Sequence, residues 1–202
     1  MSTLHTEPME NNAPRNDAPK KHPLTEIIEL ALVAFLIVVP VRFFIAQPFI
    51  VSGASMENTF HTGEYLIIDQ LTYRFEDPQR GDIIVFRYPQ DPSKFFIKRI
   101  IALPGDTIDI KGNKVTIETG TEKKELTLDE PYIKSMAQST TLHETLGDRE
   151  YFVMGDNRDA SSDSRIWGVL PKDKIIGRAL VRLFPLDKIG VFPGEYDITN
   201  NN

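Results

Sequence analysis

Ser55 ends the run Val51-Ser52-Gly53-Ala54 and opens Met56-Glu57-Asn58-Thr59, just after the most apolar segment of the chain and before its first strand-like run. Gly53 and Ala54 are small enough to let the backbone approach a substrate closely. A Ser that follows them presents its hydroxyl on a tight turn, with its own N–H turned outward. This is the local pattern of a nucleophile loop, and Ser55 is the candidate nucleophile. The same residues also make an ordinary polar turn between two hydrophobic elements, so the loop needs a partnering base.

A Ser hydroxyl is a weak nucleophile until something takes its proton. The four His, at 5, 22, 61 and 143, are scattered, so the base must come from elsewhere. Lys98, in Phe95-Phe96-Ile97-Lys98-Arg99, is the best candidate. On a strand Phe96, Lys98 and Ile100 share one face, and apolar neighbours there penalise the charged amine. A neutral Lys is a general base, whereas a Lys in solvent or paired with a carboxylate is not. A third block, Gly155-Asp156-Asn157-Arg158-Asp159-Ala160-Ser161-Ser162-Asp163-Ser164-Arg165, suits a polar loop in which Asp163 and Arg165 pair, or one that is merely solvated.

The elements that must position these residues read as strands. Glu64 to Leu71, Asp82 to Arg87 and Phe95 to Leu103 are short β-branched and aromatic runs, and Pro104-Gly105-Asp106 is a turn. Thr107-Ile108-Asp109-Ile110 and Val115-Thr116-Ile117-Glu118 alternate apolar with polar around Lys111-Gly112-Asn113-Lys114, a hairpin. Thr119 to Arg149 is polar and expected to be irregular, apart from Glu125 to Ile133. Tyr151 to Met154 is a further strand, and Ile175 to Phe184 reads as a last strand pair. Period-two alternation from residue 64 onward predicts a mainly β, antiparallel domain over 47–202.

In front of that domain the character changes twice. Residues 1–23 are polar and rich in Pro and Asn, and cannot bury enough surface to fold. Residues 24–46 are apolar, with no charge from Leu30 to Val41, and predict a transmembrane helix; a buried core helix is the alternative. Arg15, Lys20 and Lys21 precede this segment and no Lys or Arg lies between Gln47 and Tyr73. The positive-inside bias then puts residues 1–23 in the cytoplasm and 47–202 outside it, on a single-pass anchor in the cell membrane. Phe44 stands where a signal-peptide cleavage site would need a small residue, so the anchor is expected to remain.

The net charge of −6, with no basic stripe, argues against a nucleic-acid partner. The chain has no Cys and its His lack ligand spacing, so neither a metal nor a cofactor is expected.

Together the blocks resemble the type I signal peptidases, membrane-anchored serine proteases with a Ser–Lys dyad. Ser52-Gly53-Ala54-Ser55-Met56 is similar to the family's nucleophile block and Arg80-Gly81-Asp82-Ile83-Ile84-Val85-Phe86 to a structural block. Lys98-Arg99-Ile100-Ile101-Ala102-Leu103-Pro104-Gly105-Asp106 is similar to its lysine block, and Gly155 to Arg165 to its last block. Four ordered blocks over about 110 residues make chance agreement improbable.

The resemblance implies Ser55 as nucleophile, Lys98 as general base and Ser161 as the hydroxyl that orients the amine. It implies Asp156, Asp163 and Arg165 as charged supports and Met56, Phe60 and Ile97 as the substrate pocket. The implied activity is removal of signal peptides from secretory precursors after small residues, beside membrane lipid. The family usually has Pro where Asn58 stands and Gly where Ala102 stands; some members carry an oxyanion-donating Ser where this chain has Gly53. Two other readings compete: a Ser–Lys self-cleaving protease of the repressor type, and a catalytically silent, membrane-tethered β-scaffold.

Overall fold

A computed structural model describes residues 23–40, 42, 45–120, 124–133 and 140–196. The expected unstructured tail, 1–23, lies outside these residues except for Pro23. The helical part and the β-body from Pro40 onward are separate units.

Helix α1 spans Pro23–Pro40. Pro23 suits a first helical position, where its missing N–H costs nothing, and Glu26 in the first turn complements the positive end of the helix dipole. Eighteen residues rise about 27 Å, and among the described residues no helix is long and apolar enough to cross a membrane. The expected helix over 24–46 is therefore corrected at its C-terminal end. Ala46 is already in a strand, paired with Asp69, so sheet hydrogen bonding claims the end of the apolar run. The apolar side chains of α1, including Ile27, Leu30, Val33, Phe35 and Leu36, are exposed.

The body is antiparallel β throughout, as the period-two pattern predicts. Its larger sheet has the order β1 (Ala46–Ile50), β2 (Tyr65–Asp69), β11 (Ile175–Phe184), β3 (Ile83–Tyr88), β4 (Asp91–Ala102), β9 (Glu150–Met154) and β10 (Leu170–Pro171), with β12 (Gly190–Val191) also on β11. The smaller sheet runs β7 (Lys124–Thr127), β6 (Lys114–Thr119), β5 (Thr107–Gly112), β8 (Thr140–Thr145). The stretch over 119–149, expected to be irregular apart from Glu125 to Ile133, is corrected at β8, which the small sheet recruits through backbone pairing with β5 despite its polar side chains, while β7 falls largely within the excepted part. The expected last strand pair is one long strand, β11, that bridges β2 and β3.

Strand β3 shows why the site has a firm floor. Its residues alternate between two cores: Ile83 and Val85 pack with Val51, Met56, Phe60, Leu66 and Ile68, while Ile84 and Phe86 pack with Ile100, Tyr151 and Val153. Each such fully buried aliphatic or aromatic side chain contributes about 1.5–3 kcal/mol. A third core, from Ile108, Ile110, Val115 and Ile117 to Ile101, Phe152 and Met154, packs the small-sheet strands against β4 and β9.

Candidate active site

The loop after β1 carries Ser55 and leaves the sheet by a backbone turn, with Gly53 at φ +96° and its N–H donated to the Thr62 hydroxyl at 3.0 Å. A left-handed backbone of this kind favours Gly. Behind the loop Met56 and Phe60 are fully buried, and the Phe60 N–H closes a turn on the Met56 carbonyl at 2.8 Å. Asn58 also has a positive φ, +92°. Proline, held near −65°, cannot adopt that angle, so the departure at position 58 goes with a local backbone a Pro would forbid.

Strand β4 brings Lys98 to this loop. The amine Nζ lies 2.7 Å from Ser55 Oγ and 2.9 Å from the Ile97 carbonyl oxygen, and the Phe96 ring centroid lies 5.2 Å away. Lys98 is 3% exposed, and burial pushes its amine from 10.5 down to about 8; Asp163 and Asp156 pull the other way but do not cancel that effect. An amine this close to a hydroxyl and this easily neutralised can take the hydroxyl proton near neutral pH.

The polar block after β9 holds the two together. Asp156 accepts from Arg99 Nε at 2.9 Å and Nη2 at 2.7 Å, and from the Thr59 hydroxyl in the Ser55 loop. Asp163 accepts the Gly155 N–H at 3.0 Å and two guanidinium bonds from Arg165, at 2.8 and 2.9 Å, while capping helix α2 (Ser164–Trp167). Arg165 also donates to the Arg158 carbonyl at 2.7 Å. The approach of Gly155 is close: a Cβ there would stand 2.3 Å from Ser161 Oγ and 2.4 Å from the Ser55 carbonyl oxygen.

Sequence reasoning missed several partners. Arg99 is wholly buried, and its Nη1 donates to the carbonyls of Gly81 and Gly194 at 3.0 and 2.9 Å. Strand alternation points Arg99 away from the Lys98 face, and nothing local says that this face is buried too. Glu130 pairs with buried Arg158, and the Tyr132 ring lies 4.1 Å from the Arg99 guanidinium carbon; both come from Glu125 to Ile133, which had no assigned role. Asn157 was visible in the last block but had no assigned role. Its amide donates to the Ala54 carbonyl and its N–H to the Ser55 carbonyl, each at 3.0 Å.

Two expectations are corrected. The Ser161 hydroxyl does not bond Lys98; it is buried without a hydrogen-bond partner, because the amine meets Ser55 and the Ile97 carbonyl instead. Met56 and Phe60 do not line the cleft beside Ser55, because they fill the core beneath the loop. Ile97 does line it, a cleft of about 300 Å³, with Leu66, Val85 and Phe96 among its apolar walls and Ser55 and Lys98 at its polar end.

A family model described as "Signal peptidase, peptidase S26" matches residues 24–184. A probable signal peptidase I-1 of Synechocystis is 39% identical over 174 residues, covering 83% of this chain and 86% of its own length. Signal peptidase I P of Bacillus subtilis subsp. natto is 36% identical, covering 84% and 94%. A crystal structure of a signal peptidase I from Enterococcus faecalis is 28% identical, covers 51% of this chain and 97% of its own, and superposes with a TM-score of 0.43.

Proposed function

The chain belongs to the signal peptidase family, peptidase S26, and from that premise we propose that Ser55 and Lys98 are the dyad with which it cuts. It is a serine endopeptidase of the signal peptidase I type, and its substrates are secretory precursor proteins. The observation that carries the dyad is the 2.7 Å separation of Lys98 Nζ and Ser55 Oγ at the polar end of the cleft.

In this reading neutral Nζ takes the proton from Ser55 Oγ as the oxygen attacks the carbonyl carbon of the scissile bond. The oxyanion that forms accepts from the Ser55 N–H, a donor with no acceptor among the described residues. Collapse of the tetrahedral adduct expels the new N-terminus, to which the Lys98 ammonium returns the proton. A water, deprotonated in turn by Nζ, then hydrolyses the ester. Asp156, Asp163 and Arg165 hold the block in shape.

The walls set the specificity in this proposal. Leu66, Val85 and Ile97 are bulky, and small pockets reject large side chains by overlap, which favours Ala at positions −1 and −3 of the precursor. Among the described residues strand β1 pairs only with β2, so its outer edge offers free backbone groups to an extended substrate. The exposed apolar residues of α1 and the charge asymmetry around it support an anchor in lipid, with the N-terminus cytoplasmic and the β-body as the extracytoplasmic catalytic domain.

The test is incubation of the detergent-solubilised protein with a secretory precursor, beside Ser55→Ala. Cleavage lost in Ser55→Ala supports the dyad, and cleavage retained refutes it. Family membership sets aside the self-cleaving repressor, and an inactive parent protein would leave the silent scaffold as the better account.

A further inference from the structure

The Ala54–Ser55 peptide carries two groups that matter to catalysis in opposite ways. Its N–H belongs to Ser55 and is the oxyanion donor of the proposed mechanism; its carbonyl belongs to Ala54. In a trans peptide the two point in opposite directions, so whatever fixes the carbonyl also aims the N–H. That carbonyl accepts twice: the Asn157 amide Nδ2 donates to Ala54 O at 3.0 Å, and the Glu57 N–H closes a turn on it at 3.1 Å. The Asn157 backbone N–H donates to the next carbonyl, Ser55 O, also at 3.0 Å. Asn157 therefore grips two consecutive peptide units of the nucleophile loop from one side. Ala54 and Ser55 line the cleft and Asn157 does not, which leaves the N–H of the Ala54–Ser55 peptide facing the substrate.

We infer that Asn157 is a positioning residue that builds the oxyanion hole by clamping the Ala54 carbonyl. Within the loop the plane is held by its own turn, through the Glu57 N–H on Ala54 O and Thr62 on both backbone groups of Gly53, and the Asn157 amide is the contact that ties that plane to the block after β9. A hydrogen bond to the carbonyl also polarises its peptide and makes the N–H a better donor. Because Gly53 has no hydroxyl to offer as a second donor, the aim of the Ser55 N–H carries more of the load here than in a site with two donors.

This inference rests on Ser55 being the nucleophile, and the experiment separates the two. Asn157→Ala and Asn157→Asp are assayed beside Ser55→Ala on one precursor, with kcat, KM, the pH dependence of kcat/KM and the melting temperature measured for each. Both Asn157 variants keep the backbone bond to Ser55 O, so they isolate the side-chain amide. Asn157→Asp keeps the shape and puts an acceptor where the donor was. Losing a whole oxyanion donor costs about 10²–10³ in kcat, so a misaimed one is expected to cost on the order of 10–100-fold. KM should stay within about twofold, and in Asn157→Ala the ionisation near pH 8 should not move, because no charge near Lys98 changes; the new carboxylate of Asn157→Asp raises it, as Asp156 and Asp163 do. A folded variant with kcat, taken on the alkaline plateau, within about twofold of the parent overturns the inference, as does a loss that appears in KM or, in Asn157→Ala, comes with a shifted ionisation. If Asn157→Ala melts below the assay temperature, the folded Asn157→Asp decides by its plateau kcat and its KM. Activity surviving in Ser55→Ala would overturn the nucleophile instead.

Discussion

Arg99 and Asp156 meet through two hydrogen bonds, 2.9 and 2.7 Å long, with the two side chains 0% and 1% exposed, one residue along β4 from Lys98. A buried pair of this kind breaks asymmetrically, since removing one partner leaves a full charge with no compensation. Asp156→Ala should therefore lose roughly 3–5 kcal/mol of stability by denaturant unfolding. It should also free Thr59 and the Ser55 loop, so activity falls further than stability at temperatures where the variant is folded. A variant that unfolds like the parent would mean that the Gly81 and Gly194 carbonyls suffice for Arg99.

As the proposed base, Lys98 should make the rate depend on pH. With its ionisation pushed down to about 8 by burial, kcat/KM should climb from pH 6 and level off above about 8, and Lys98→Arg should be inactive because a guanidinium stays protonated. Stability follows the same group with a definite sign. Below about pH 8 the amine is charged in the folded and the unfolded chain, and the folded state bears the cost of burying it. Between about 8 and 10.5 the unfolded chain keeps a proton that the folded one has released, so this cost disappears as pH rises. Lys98→Met should accordingly melt higher than the parent at pH 7, with a gain that shrinks toward pH 10. A gain independent of pH would assign it to packing.

Gly155 tests how tightly the last block presses on the nucleophile. A methyl group there meets the Ser55 backbone oxygen at 2.4 Å, and backbone cannot swing aside as a flexible side chain can. Gly155→Ala should cut kcat at least tenfold by displacing the Ser55 loop, measured on a precursor with Ala at −1. Wild-type turnover would show that the loop yields at little cost.

Met56 and Ile97 separate core from pocket. Met56→Ala should cost about 2–5 kcal/mol, the penalty for emptying a buried site, without changing which precursors are cut. Ile97→Ala enlarges the cleft wall and should raise cleavage of precursors with Val or Leu at −1 relative to Ala by roughly 10–200-fold, with little change in stability. The readout is a panel of one precursor varied only at −1, and the reverse pattern would put Met56 back in the pocket.

The chemistry-bearing residues and the strand class were legible in the chain because both are local. Ser55 stands in a run of small residues, Lys98 among apolar ones, and β-branched or aromatic runs mark β2 and β3, as period-two alternation marks β5 and β6, whatever they pair with. The end of α1 was not legible, since an apolar run continues past Pro40 while backbone pairing with β2 claims Ala46. Strand β8 was hidden for a similar reason: a polar sequence becomes a strand when the edge of a neighbouring hairpin needs a partner. The burial of Met56 and Phe60, the enclosure of Arg99 and the grip of Asn157 on the Ala54 carbonyl join residues 18 to 103 positions apart or depend on which face of the loop meets the core. Local spacing carries no information about such distances. Tertiary packing alone decided that the amine beside Ser55 is shut away from water, and desolvation by the assembled cores is what lowers its ionisation to where the proposed base needs it.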